Sequence, residues 1–87
     1  MTYGLRRIQM TRIHDDQLHD YDFEVLRSDQ GDGGWSIHWK HDEPDENGLR
    51  PVLLSGPSSF DAERGDWARP THEDFADAIE VLLKAKQ

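Results

Sequence analysis

The chain has no cysteine. That single absence removes disulfide staples, thiolate nucleophiles, zinc–thiolate sites and iron–sulfur clusters together. It fits a reducing compartment, and the cytoplasm is the expected location. Long apolar runs are also missing: no window approaches the ~18 consecutive apolar residues that a membrane helix needs. The basic start, Met1 to Arg7, runs into no hydrophobic segment, so no secretory signal is expected. Aliphatic and aromatic residues are scarce at 34% of 87 residues. A chain of this length is expected to form one domain, burying roughly 60–65% of the surface its unfolded form exposes.

Basic charge is the other shortage. Ten Lys and Arg face eighteen Asp and Glu, giving a formal net charge of −8. A field of that sign repels nucleic acid and anionic lipid and attracts basic partners. Neither direct nucleic-acid binding nor membrane binding is therefore expected. What is present argues for folding rather than disorder: three Trp, three Phe and segments with a clear hydrophobic period. Charge is also sorted along the chain. Residues 1–13 carry Arg6, Arg7 and Arg12 and no acid, whereas residues 14–24 carry Asp15, Asp16, Asp20, Asp22 and Glu24 and no Lys or Arg. A second acidic group, Asp42, Glu43, Asp45 and Glu46, occupies one short stretch.

Tyr21, Phe23 and Val25 alternate with Asp22 and Glu24, and Trp35, Ile37 and Trp39 alternate with Ser36, His38 and Lys40. A period of two with aromatic and β-branched residues on one face predicts two half-buried strands. The segment between them, Ser28 to Gly34, is rich in Gly and Asp and predicts a hairpin loop. Pairing Val25 with Ile37 places Phe23 opposite Trp39 on the buried face. The open face then has Glu24 opposite His38 and Asp22 opposite Lys40. A slip of one residue turns the aromatics toward water.

Residues 5–13 predict a further strand, because a helix there has almost no apolar face. Residues 50–54 predict a fourth, with Pro51 at its start or on a sheet edge. Residues 55–70 show no period and are expected as a long loop pinned by Phe60 and Trp67. The last segment predicts a helix. Thr71 is a suitable N-cap with Asp74 three residues on, and Phe75, Ala78, Ile79, Leu82 and Leu83 make one apolar stripe. The fold class is α+β: a small antiparallel sheet of about four strands in β-β-β-β-α order, with the C-terminal amphipathic helix packed on one face.

No constellation with catalytic spacing emerges. Residues 14–22 combine His14 and His19 with four aspartates, but the spacing matches no metal motif, and a solvated turn is naturally rich in Asp. His38 and His41 stand three apart on a strand and point to opposite faces. The glycines at 31, 33 and 34 join strand to strand, so no helix N-terminus lies behind them to hold a phosphate. Ser55, Ser58 and Ser59 lack a nucleophile-elbow pattern, with His72 only a distant base. No cofactor or metal is expected. Trp35 and Trp39 are expected in the core, and Trp67, between Arg64 and Arg69, is the candidate exposed aromatic anchor.

These features predict a non-enzymatic protein-binding domain that engages a basic surface, such as that of a nucleic-acid-binding protein. The candidate contacts are Asp42, Glu43, Asp45 and Glu46, then Asp15, Asp16, Asp20 and Asp22, with Trp67. By analogy of charge and size alone, toxin-immunity, anti-restriction and anti-CRISPR proteins are classes in which acidic side chains imitate phosphates. Two alternatives follow from other features. One is a self-associating assembly module, in which the basic N-terminal strand meets an acidic loop of another copy. The other is a small metal- or ligand-dependent enzyme using the His14–Asp22 cluster.

Overall fold

Residues 4–17, 19–28 and 34–85 are described by a computed structural model. Leu18 and most of the expected hairpin loop, residues 29–33, lie outside them. Among the described residues a sheet forms from β1 (Leu5–His14), β2 (Asp20–Ser28), β3 (Ser36–Trp39) and β4 (Leu54–Ser55). All neighbours are antiparallel, in the spatial order β1-β2-β3-β4. The register of β2 on β3 is the one the alternation predicts: Phe23 opposite Trp39, Glu24 opposite His38 and Val25 opposite Ile37. Lys40 N donates to Asp22 O at 2.9 Å, which extends the same pairing.

The helix α1 (His72–Ala85) covers the face that carries Phe23, Val25, Trp35 and Ile37. Its start is a reciprocal cap. Asp74 N donates to Thr71 Oγ1 at 3.3 Å, and Asp74 Oδ2 accepts from Thr71 N at 2.8 Å. Phe75, Ala78, Ile79 and Leu82 are buried against the sheet, and Phe75 packs on Phe23 with ring centroids 5.9 Å apart. Leu83, expected in the stripe, is exposed, because its position turns past the sheet contact. Trp35 is in the core, and Trp39 packs partly buried against it.

The second face of the sheet is not open. Every residue from Phe23 to Arg27 is buried, including Glu24, and His38 is 1% exposed. The segment between β3 and β4 folds back over this face and brings Arg50 with it. Arg50 Nη1 donates to Glu24 Oε1 at 3.1 Å and its Nε to the Asp42 carbonyl at 2.9 Å. His38 Nδ1 donates to the Arg50 carbonyl at 2.9 Å. The expected cross-strand pair of Glu24 with His38 is thus replaced: the two are opposite in register, but both are bonded to Arg50.

The strand expected at 50–54 shrinks to Leu54–Ser55 at the sheet edge, with Leu53 N bonded to Ile37 O at 2.9 Å. Pro51 precedes it without a donor to give. The expected loop 55–70 contains a two-stranded ribbon, β5 (Phe60–Asp61) on β6 (Asp66–Trp67). It is held to the sheet by Arg27, bonded to the Ala68 carbonyl, and by Arg69, bonded to the Ile8 carbonyl. Phe60 does not pin it, since its ring is 55% exposed and meets only the edge of Trp67 in an aromatic pair. Gly56 is required where the chain passes Trp35: a Cβ there falls 2.1 Å from the indole.

The thin core sets a clear expectation. Replacing Phe23 with Ala costs about 3–5 kcal/mol. The total stability available to such a chain is about 4–13 kcal/mol. Phe60→Ala, at an exposed site, changes stability by about 0.5 kcal/mol or less. Urea unfolding of the two variants checks this. Equal losses contradict the assigned core.

Candidate functional site

Antiparallel order brings the two acidic stretches together. β1 ends and β2 begins at the same end of the sheet where β3 ends, so the turn 15–19 and the segment 40–49 share that end. His41 joins them, with Nε2 3.4 Å from Asp22 Oδ2. The helix starts beside them. A cleft of about 250 Å3 between β1 and α1 is lined by residues 13–16, at the end of the first and in the turn after it, and by His72, Ala76 and Ile79 of the second.

The acids at this end divide by what they hold. Asp15 and Asp45 build the same turn twice. Asp15 Oδ1 accepts from Gln17 N at 2.9 Å and His19 N at 2.8 Å, and Asp15 N donates to His19 O at 3.0 Å. Asp45 Oδ1 accepts from Asn47 N and Leu49 N, both at 2.9 Å, and Asp45 N donates to Leu49 O at 2.7 Å. A short carboxylate that reaches the amides two and four residues on replaces backbone partners the turn lacks. The His19 amide, first among several donors, holds the Asp15 carboxyl below the usual range, while partial burial opposes it. Tyr21 Oη also donates to Asp15 Oδ2 at 3.2 Å, and burial followed by this carboxylate raises the phenol.

Asp22 is enclosed by cations. Arg12 Nε donates to its Oδ1 at 2.7 Å, and Lys40 and Arg12 line a shallow cleft with it. The Arg12 hydrogen bond lowers the Asp22 carboxyl, with His41 adding to the effect against partial burial. Asp20 Oδ1 accepts from His14 Nδ1. Asp42 gives its backbone to the Arg50 clasp and to Trp39 O. That leaves the carboxylates of Asp42, half-buried, and of Asp16, Glu43 and Glu46, all exposed, which make no hydrogen bond or ion pair among the described residues. The exposed side of α1 adds Glu73, Asp77 and Glu80 along one stripe.

Trp67 lies apart. It sits in the ribbon beside Ala68, which is tied to Arg27, five residues along β2 from Asp22 and so roughly 16 Å away. It is half-buried, and the more exposed ring of that pair is Phe60.

Among the described residues, no three His, Asp or Glu side chains converge to hold a metal ion. His41 lies beyond the end of β3, edge-on to Trp39, while His38 is enclosed on the opposite side of the register. One pairing that sequence reasoning missed is Ser36 with His38, whose Oγ and Nε2 are 2.7 Å apart. A carbonyl only accepts, so Nδ1 carries a proton toward Arg50, and Nε2 is left to pair with the serine hydroxyl. This is a general-base geometry, but the buried ring serves a backbone clasp and faces no oxyanion donors in the described contacts. The only signal in sequence is the i, i+2 spacing that puts both on one strand face.

Comparison of the chain with protein-family models, with curated proteins and with solved structures finds no match in any of the three. The functional reading therefore rests on the residues.

Asp15 and Asp22 carry pKa values in the folded chain below those of the unfolded chain. Their stabilisation is complete above the unfolded carboxyl value, about pH 4, and is lost as pH falls through the folded values. Melting temperature is thus expected to fall steeply below about pH 4, and less steeply in Asp22→Asn. An acid limb unchanged in Asp22→Asn contradicts the assignment.

Proposed function

We propose that this chain is a non-enzymatic acidic protein-binding domain that presses one end of its sheet against a basic surface of a partner. The chemistry of that partner is a lysine- and arginine-rich face of the kind that binds nucleic-acid phosphates, which the carboxylates imitate. The observation that carries this reading is the gathering of Asp16, Glu43 and Glu46, free of internal partners, at the end built by Asp15, Asp22 and Asp45. Carboxylates held by the fold give shape, and free ones give charge that a partner neutralises. A free carboxylate also avoids the loss of an existing bond when it is recruited. Toxin-immunity, anti-restriction and anti-CRISPR inhibitors exemplify such binding, and the analogy extends to charge and size only.

The test uses the immobilised chain and a triple variant, Asp16→Lys with Glu43→Lys and Glu46→Lys. The variant should keep the parent circular dichroism and melting temperature, because none of the three carboxylates holds the fold. From host lysate the parent chain should retain a basic nucleic-acid-binding protein that elutes only at high salt and is displaced by duplex DNA. The triple variant should lose it. Equal retention by the variant, retention indifferent to DNA, or capture of no such protein overturns the proposal.

A further inference from the structure

The end of the sheet away from the acidic turns holds the opposite chemistry. Arg27, near the end of β2, is on the same sheet face as Phe23 and Val25 and is 6% exposed. Its Nη2 donates to the neutral Ala68 carbonyl, and its buried Nε has no acceptor among the described residues. Among those residues no carboxylate forms an ion pair with it. Arg69 repeats the pattern: Nη1 donates to Ile8 O at 3.0 Å, and its Nε is buried without an acceptor. Arg6 stands directly opposite Arg27 in the β1–β2 register, and is exposed.

Among the described residues one acid serves this cluster. Asp66 acts on Arg27 by charge alone, because its carboxylate is bonded to Trp67 N at 2.8 Å and to Arg69 Nη2 at 3.4 Å. Among the described residues three guanidinium groups against one carboxylate leave two positive charges in excess. Burial lowers the Arg27 value first, and the charges of Arg69 and Arg6 add to it. A guanidinium stays protonated even so. Tying the ribbon to the sheet uses one Arg27 donor on the Ala68 carbonyl, and the orphaned Nε and the excess charge that remain are what an anionic occupant meets.

We infer that Arg6, Arg27 and Arg69 form a binding site for a phosphate dianion. The charge balances, since two excess positive charges meet one dianion. The forked donors of arginine match phosphate oxygens in pairs. Access runs along exposed Arg6 and the third of the Arg69 side chain that reaches solvent. The site lies on β1, β2 and the segment after β6, so occupation fastens the ribbon to the sheet. It is separate from the acidic end and stands whether or not that end binds a partner.

The experiment titrates the full chain with inorganic phosphate in the millimolar range against chloride of equal ionic strength, following the arginine Nε–H resonances and the melting temperature. Saturable shifts of Arg27 and Arg69 Nε–H, with a rise in melting temperature, are expected. Acetate, a monoanion, should bind more weakly. Arg6→Gln, at an exposed position, keeps the fold and should weaken phosphate binding about tenfold, the loss of one charge-assisted contact. Arg27→Met should abolish the response. Phosphoserine in place of phosphate separates the sources: tighter binding assigns a phosphorylated side chain, and equal or weaker binding the free ion. No saturable shift at Arg27 and Arg69, or an unchanged response in Arg6→Gln, overturns the site.

Discussion

The ion pair of Arg50 with Glu24, and the bond of His38 to the Arg50 carbonyl, close the second face of the sheet. They matter because β2 is buried on both faces, with every residue from Phe23 to Arg27 shielded from solvent. On the helix side the burial is apolar, through Phe23, Val25 and their partners. On the other side Glu24 and His38 are buried beside Leu26, and a buried carboxylate without a cation is costly. Glu24 thus requires Arg50, and Arg50 fixes the path of the chain from Asp42 to Leu53. The acidic segment stands where it does because of that clasp.

One consequence is a molecule with two electrically distinct ends. The sorting of charge along the sequence becomes a sorting in space because β1 and β2 run antiparallel. Arg6 at the start of β1 meets Arg27 at the end of β2, and the acids of the intervening turn gather at the far end. β1 is an edge strand that carries Arg6, Arg7 and Arg12, and like charges along such an edge oppose its pairing with itself. Turn construction adds to the division of labour. Asp15, Asp45 and Asp61 each bond backbone amides of their own turns, so part of the negative charge is structural and the rest is surface.

Much of this was legible in the sequence, for reasons that can be named. The β2–β3 register followed from alternating aromatic and β-branched residues, because only one register buries them together. The helix followed from its stripe and from the Thr71–Asp74 cap. The burial of Glu24 and His38 was not legible: polar residues on alternate positions look like a solvated face, and Arg50, the residue that buries them, is 26 positions from Glu24. The ribbon at 60–67 was missed because two-residue strands have no period. Nothing in the sequence marks Arg27, and only the fold reveals that the ribbon covers it. At the acidic end the sequence marked the acids but not which were bonded, since turn locks and free carboxylates have the same composition.

The clasp is the claim on which the placement of the acidic end depends, and amide hydrogen exchange in Arg50→Met reads it directly. The methionine keeps the apolar stem and removes the bonds to Glu24 and to the Asp42 carbonyl. With the clasp as described, the Asn47, Leu49 and Leu53 amides should exchange much faster than in the parent chain, while the core strand amides of Val25 and Ile37 keep more of their protection. Parent-like protection at Asn47, Leu49 and Leu53 in the variant would contradict the account.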